Sequence, residues 1–268
     1  KDQESQKRYS EESSTLDHII FPLVTSFALE LIFEASAAKA TKWTMKDEQL
    51  GVSLYRTFRC LYLGLHGLSV YWNYSTTGTP PENHSNTTQL QIMQEKNQVM
   101  LGYLAADAAT MLLSNYGIFF DKLPLRKELL VHHLMGLAAW GYSFSTNSLV
   151  ELFNANLAVE LLSALKIFEY VLAHPEIIGS YKEMLTLTQR RGGIQLCMLY
   201  RLGIILIVRS PIWYLDWKST DQYEEQLGTN YFIMYRLLNY GIIGLEGYWA
   251  YKVLEKFRHP ITIKPKEH

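Results

Sequence analysis

Apolar residues gather along the chain into runs of about 20, the length a helix needs to cross a bilayer core, and charge crowds into the short stretches between them. Seven such runs predict helices at roughly 18–38, 52–73, 98–120, 128–146, 149–172, 194–215 and 230–253. The first and fifth are the weakest, since Glu30 and Glu34 interrupt one and Glu151, Glu160 and Glu169 the other. No repeat is visible, and the loop Ser75–Gln98 is the only low-complexity tract. The predicted fold is all-α, a multi-pass transmembrane bundle of about seven helices. A polar segment (1–17), a first helix with a basic loop (18–49), a helical membrane domain (50–256) and a basic tail (257–268) make up the chain.

The connecting segments test this reading, because cytoplasmic loops of membrane proteins carry an excess of Lys and Arg. Lys39, Lys42 and Lys46 follow the first run, Lys122, Arg126 and Lys127 the third, and Lys182, Arg190 and Arg191 the fifth; Lys252, Lys256, Arg258, Lys264 and Lys266 mark the tail. The intervening connections are poor in them: Lys96 alone in the second, and Lys218 against Asp216, Asp221, Glu224 and Glu225 in the sixth. Alternation over seven helices predicts an outside N-terminus and a cytoplasmic or matrix-side C-terminus. The second connection also holds glycosylation tripeptides at Asn73, Asn83 and Asn86, on the predicted outer side. Aromatic residues cluster at run ends, as in Tyr71, Trp72 and Tyr74 or Trp213, Tyr214 and Trp217, where an interfacial belt is expected.

Composition alone does not separate a membrane protein from a soluble one here: 48% of residues are hydrophobic and 19% charged, with a mean hydropathy of −0.05. The net charge of −1 gives no basic face for nucleic acid, so no nucleic-acid partner is expected. Cys60 and Cys197 both fall inside apolar runs, which argues against a disulfide framework or a cysteine metal site; no metal and no cofactor are expected. The chain starts at Lys1, which leaves room for a preceding leader.

Ionisable groups inside apolar runs are expensive and usually face a partner or a wet cavity. The second run carries Arg56, Arg59 and His66, the third Asp107, the fourth the adjacent pair His132 and His133. Glu160 and Lys166 lie in the fifth, Arg201 and Arg209 in the sixth, and Arg236, Asn239 and Glu246 in the seventh. Neighbours on a helix point about 100° apart, so His132 and His133 can share a cavity edge but not readily chelate one metal. They are the catalytic candidates, a general base and its partner oriented by Asp107 or Glu160; the plainer reading has these groups satisfy one another across the bundle. Arg201 and Arg209, two turns apart, share a face, and Arg209 near the run's end is expected to snorkel to headgroups. Gly241, Gly244 and Gly247 suggest close packing of the seventh helix.

Five short motifs then carry a resemblance. Leu65-His-Gly-Leu68, Gly102-Tyr-Leu-Ala-Ala-Asp107, Leu130-Val-His-His-Leu-Met-Gly-Leu137, Val208-Arg-Ser-Pro211 and Leu238-Asn-Tyr240 through Trp249 occur in this order. In this the chain resembles the TLC-domain proteins, the group of TRAM, Lag-type ceramide synthases and CLN proteins, over about residues 50–256. The resemblance implies that six helices, the second to seventh, form a barrel around a cavity that takes a lipid chain. In ceramide synthases the paired histidines, matched by His132 and His133, serve acyl transfer from acyl-CoA. Those enzymes also carry His-Asp, a further Asp and a Glu on the next helix. Alignment on Lys166 and Tyr170 puts Ala155, Asn156, Val159 and Ser163 at those positions, so the acids are missing.

The chain is therefore closer in pattern to the plain TLC-domain proteins. The expected function is to bind or handle membrane lipid in a helical barrel without making ceramide, with His66, Asp107, His132, His133, Glu160 and Arg209 at the polar cavity. Two rival readings are a structural accessory subunit, partnered by other membrane proteins, and an acyl-CoA-dependent acyltransferase. The endoplasmic reticulum or another endomembrane is the expected location, with the mitochondrial inner membrane as the alternative.

Overall fold

The computed structural model describes residues 2–40, 44–45, 48–77, 87–118, 122–146, 149–174, 186–220 and 229–258. Among these the chain is helical, apart from a minimal antiparallel ladder of β1 (Thr44–Met45) and β2 (Glu48–Gln49). Seven rods follow one another. Four are single helices: α1 (Asp2–Ala40), α2 (Leu50–Thr77), α3 (Thr87–Tyr116) and α4 (Lys127–Thr146). The fifth is assembled from α5 (Val150–Asn156), a 3₁₀ segment (Leu157–Ser163) and α6 (Lys166–Ala173). The sixth joins α7 (Leu187–Ile204), a π segment (Ile205–Arg209) and α8 (Ser210–Thr220), and α9 (Thr229–Arg258) is the seventh.

Each rod covers one of the seven apolar runs, but α1 and α3 begin well before theirs. Residues 2–17 and 87–97 are polar yet rich in Glu, Gln, Lys, Met and Ser, residues a helix tolerates without an apolar face once a neighbouring turn has nucleated it. Within the Ser75–Gln98 connection, α2 continues to Thr77 and α3 begins at Thr87. Asn83, Asn86 and the charged positions Lys42, Lys46, Lys182, Asp221, Glu224, Glu225, Lys264 and Lys266 lie outside the described residues; Asn73 is exposed in the last turn of α2. Local chemistry fixes several ends. Thr186 and Gln189 form a reciprocal capping box at the start of α7. Gly117, with φ of 70°, closes α3 while the Ile118 amide donates to the Leu113 carbonyl at 2.8 Å.

The chain forms two compact units, one of residues 1–36 and 82–153, the other of 37–81 and 154–268. In the first, α1 lies so close to α3 that a Cβ on Gly102 would stand 2.2 Å from Ser26 Oγ. Ser26 Oγ donates to the Gln98 carbonyl at 3.3 Å, and Gln98 Nε2 donates to the Pro22 carbonyl at 2.9 Å, beside the proline that interrupts the ladder of α1. The α3 face toward α4 repeats at heptad spacing through Asn97, Met100, Leu104, Asp107, Met111 and Ser114, all buried. His133, Gly136, Trp140 and Ser143 form the answering stripe of α4.

In the second unit α2 meets the 3₁₀ segment almost backbone to backbone. A Cβ on Gly67 would fall 2.2 Å from the Ala158 nitrogen, and one on Gly64 would fall 2.7 Å from Leu161 Cγ. Among the described residues close approach is thus supplied by α2: Gly244 and Gly247 of α9 have nothing there within 4 Å of where a Cβ would be, so the packing role expected of them is not found among those residues. Ala158, Val208 and Ile212 form one apolar cluster, and Leu162, Ile205 and Val253 another, which ties α9 to the fifth and sixth rods.

Among the described residues two segments, Ile20–Lys39 and Thr188–Lys218, are long and apolar enough to cross a membrane by length and composition. The other rods carry polar groups among their apolar ones, which lowers their mean hydropathy, and they too expose large apolar side chains. Leu54, Phe58, Leu65 and Trp72 are exposed on α2, Val131 and Leu134 on α4, and Ile233, Leu237, Tyr240, Tyr251 and Leu254 on α9.

Candidate functional site

The six residues singled out by sequence fall in two places. Asp107, His132 and His133 belong to the first unit; His66, Glu160 and Arg209 belong to the second.

In the first unit the heptad seam of α3 aims Asp107 at α4, where His133 occupies the same level. His133 Nδ1 lies 3.2 Å from Asp107 Oδ2, and the two side chains are only 5% and 1% exposed. A carboxylate at Nδ1 favours the tautomer with its proton there, which leaves Nε2 able to accept a proton. His132 is half-buried one position earlier on the helix; its ring centroid lies 5.7 Å from that of His133, at 51° between planes. Tyr103 stands on the other side, 6.2 Å from the His133 ring. The histidines thus divide: His133 takes the carboxylate and His132 borders it. The carboxylate beside His133 comes from α3, a helix that precedes the histidines in the chain.

In the second unit the polar groups bind the irregular fifth rod. His66 Nε2 pairs with Asn154 Oδ1 at 2.8 Å, and Asn156 Nδ2 donates to Asp216 Oδ1 at 2.7 Å. Cys60 Sγ donates to Glu160 Oε2 at 3.4 Å. Arg209 departs from its expected place at a headgroup. It is 4% exposed, and its Nε and Nη2 donate to the Val159 carbonyl at 3.1 and 2.8 Å. That carbonyl belongs to the 3₁₀ segment, where backbone hydrogen-bond geometry is poorer and a carbonyl's second lone pair can take a side-chain donor. Tyr200 Oη does the same for Leu161, at 2.9 Å.

Sequence reading missed Tyr103, Asn154, Asn156 and Asp216 as members of these networks. Only Asp216 carried a signal, as an acid at the end of an apolar run. Among the described residues no cluster of three or more His, Cys, Asp or Glu side chains could hold a metal ion. No family model, curated protein or solved structure matches the chain.

Proposed function

We propose that this is a multi-pass membrane protein of the TLC type that binds or handles a lipid in its helical bundle, with Asp107, His133 and His132 as its polar site. The carrying observation is an inverted distribution of polarity. Asp107, His133, Asn154, Glu169 and Arg209 are buried, while large apolar side chains are exposed on every rod. Exposed apolar surface on this scale is rare on a soluble monomer and is what lipid-facing helices require. Satisfaction of the irregular fifth rod by Arg209 and Tyr200 fits a bilayer too, where backbone polar groups have no water to turn to.

The Asp107–His133 pair also favours a second reading, acyl transfer, because a carboxylate-oriented imidazole can take a proton from an attacking amine. One experiment separates the two. The chain is purified with its co-extracted lipid and supplied with labelled acyl-CoA and a sphingoid base, beside a His133→Ala control. Lipid retained without ceramide above the control supports binding; ceramide above it replaces binding by acyl transfer. A well-folded chain that retains no lipid refutes both.

A further inference from the structure

Glu169 on α6 gathers two cations from two other rods. Arg201 Nη1 on α7 lies 2.9 Å from Oε2, and Lys256 Nζ on α9 lies 3.2 Å from Oε1. The carboxylate is 6% exposed in its side chain, Arg201 16% and Lys256 45%. Two cations on one carboxylate leave a net positive charge and spare donors. An ammonium offers three N–H groups and a guanidinium five, and Glu169 uses one of each. The ammonium, on a side chain 45% exposed, keeps its remaining donors open to a ligand.

The surroundings deepen the imbalance. Lys252, one turn before Lys256, is exposed with its ammonium 4.3 Å from the Tyr248 ring. Arg258 is exposed at the end of α9, where among the described residues Glu255 is the acid that answers it, and Arg191 is exposed in the second turn of α7. Large apolar side chains flank the cations: Leu196 and Leu199 on α7, Tyr251 and Leu254 on α9 are all exposed. A basic site with free donors, bordered by apolar surface near helix ends, is what the phosphate and acyl chains of an anionic phospholipid require.

We infer that Arg201 in the last turn of α7 and Lys256 near the end of α9, both oriented by Glu169, bind the phosphate of an anionic phospholipid. This rests on the membrane reading above. The Glu169 carboxylate fixes both cations before the lipid arrives, so their order is not lost on binding.

The test is native mass spectrometry of the full chain in mild detergent, offered equal amounts of phosphatidic acid, phosphatidylglycerol and phosphatidylcholine with the same acyl chains. The two anionic lipids are expected to be retained over phosphatidylcholine. Lys256→Gln is expected to lower their retention about five-fold, the effect of one basic residue near an anionic surface, while Lys256→Arg retains them and Lys218→Gln, exposed at the far end of α8, changes nothing. Lys256 is half-exposed, so the variant should fold; circular dichroism checks it. Equal retention of all three lipids, no effect of Lys256→Gln, or an equal loss in Lys218→Gln would overturn the assignment while leaving lipid binding by the bundle intact. Displacement of the lipid by an equal concentration of inorganic phosphate would also overturn it, in favour of a soluble phosphate ligand. Absence of any retained lipid, phosphatidylcholine included, would refute the membrane-lipid reading as well.

Discussion

Arg209→Met removes a guanidinium that is 4% exposed and makes two hydrogen bonds, at 2.8 and 3.1 Å, to the Val159 carbonyl. Hydrogen bonds from a charged group contribute about 1.5–3 kcal/mol, and a buried carbonyl left without a donor costs about 1–3 kcal/mol. These overlap, because the orphaned carbonyl is part of the lost bond, so a net loss of about 3 kcal/mol is expected. Methionine refills most of the volume and keeps the cavity contribution small. Arg209→Lys preserves the charge and one donor but not the fork, and is expected to cost about half as much. Reversible unfolding in mixed micelles of denaturing and mild detergent, followed by circular dichroism, yields both differences. A loss below about 0.5 kcal/mol for Arg209→Met, the range of ordinary surface substitutions, would show that Arg209 is not the donor that holds the 3₁₀ segment. So would equal losses for the methionine and lysine variants.

Gly67→Ala should destabilise by about 1–3 kcal/mol in the same assay, because its Cβ would meet backbone atoms of Leu157 and Ala158. Gly247→Ala, which meets nothing, should stabilise by about 0.5–1 kcal/mol, and a reversed order would refute the packing of α2. A double-mutant cycle on Asp107→Asn and His133→Gln should return a coupling of at least about 1 kcal/mol, and additivity within about 0.5 kcal/mol would show that their contact contributes nothing. Ser85→Cys and Lys264→Cys should react with an impermeant thiol reagent from opposite sides of sealed vesicles, the native cysteines being buried; reaction of both from one side would refute the alternation of basic loops.

The seven rods were legible because each coincides with an apolar run, and the period of such runs depends on local residues alone. The broken course of the fifth rod was not. Leu157–Ser163 contains no Gly or Pro, and its 3₁₀ geometry is explained by contacts distant in sequence: Gly64 and Gly67 bring α2 against it, and Arg209 and Tyr200 take up its carbonyls. Arg209 was misread for the same reason. Its place near the end of the sixth apolar run suggested the end of a helix, whereas a π segment continues into α8, and the side chain lies at the level of Val159. At the histidines the sequence offered Asp107 and Glu160 as rival carboxylates, and spacing along one chain cannot choose between partners on different helices. The structure pairs His133 with Asp107 and gives Glu160 the thiol of Cys60.

The seam between α3 and α4 bears on assembly. In the bilayer proposed above, Leu, Met and Trp side chains alone would let two apolar helices slide past each other by a heptad at little expense, since hydrocarbon would solvate the displaced residues as well as the native ones. Asp107 and His133 forbid that sliding. A one-heptad slip would carry Asp107 from His133 toward the level of Trp140 or Arg126 and strip a buried carboxylate of its imidazole. The Asp107–His133 rung thus serves as a register pin, favouring one alignment of the two helices over its neighbours.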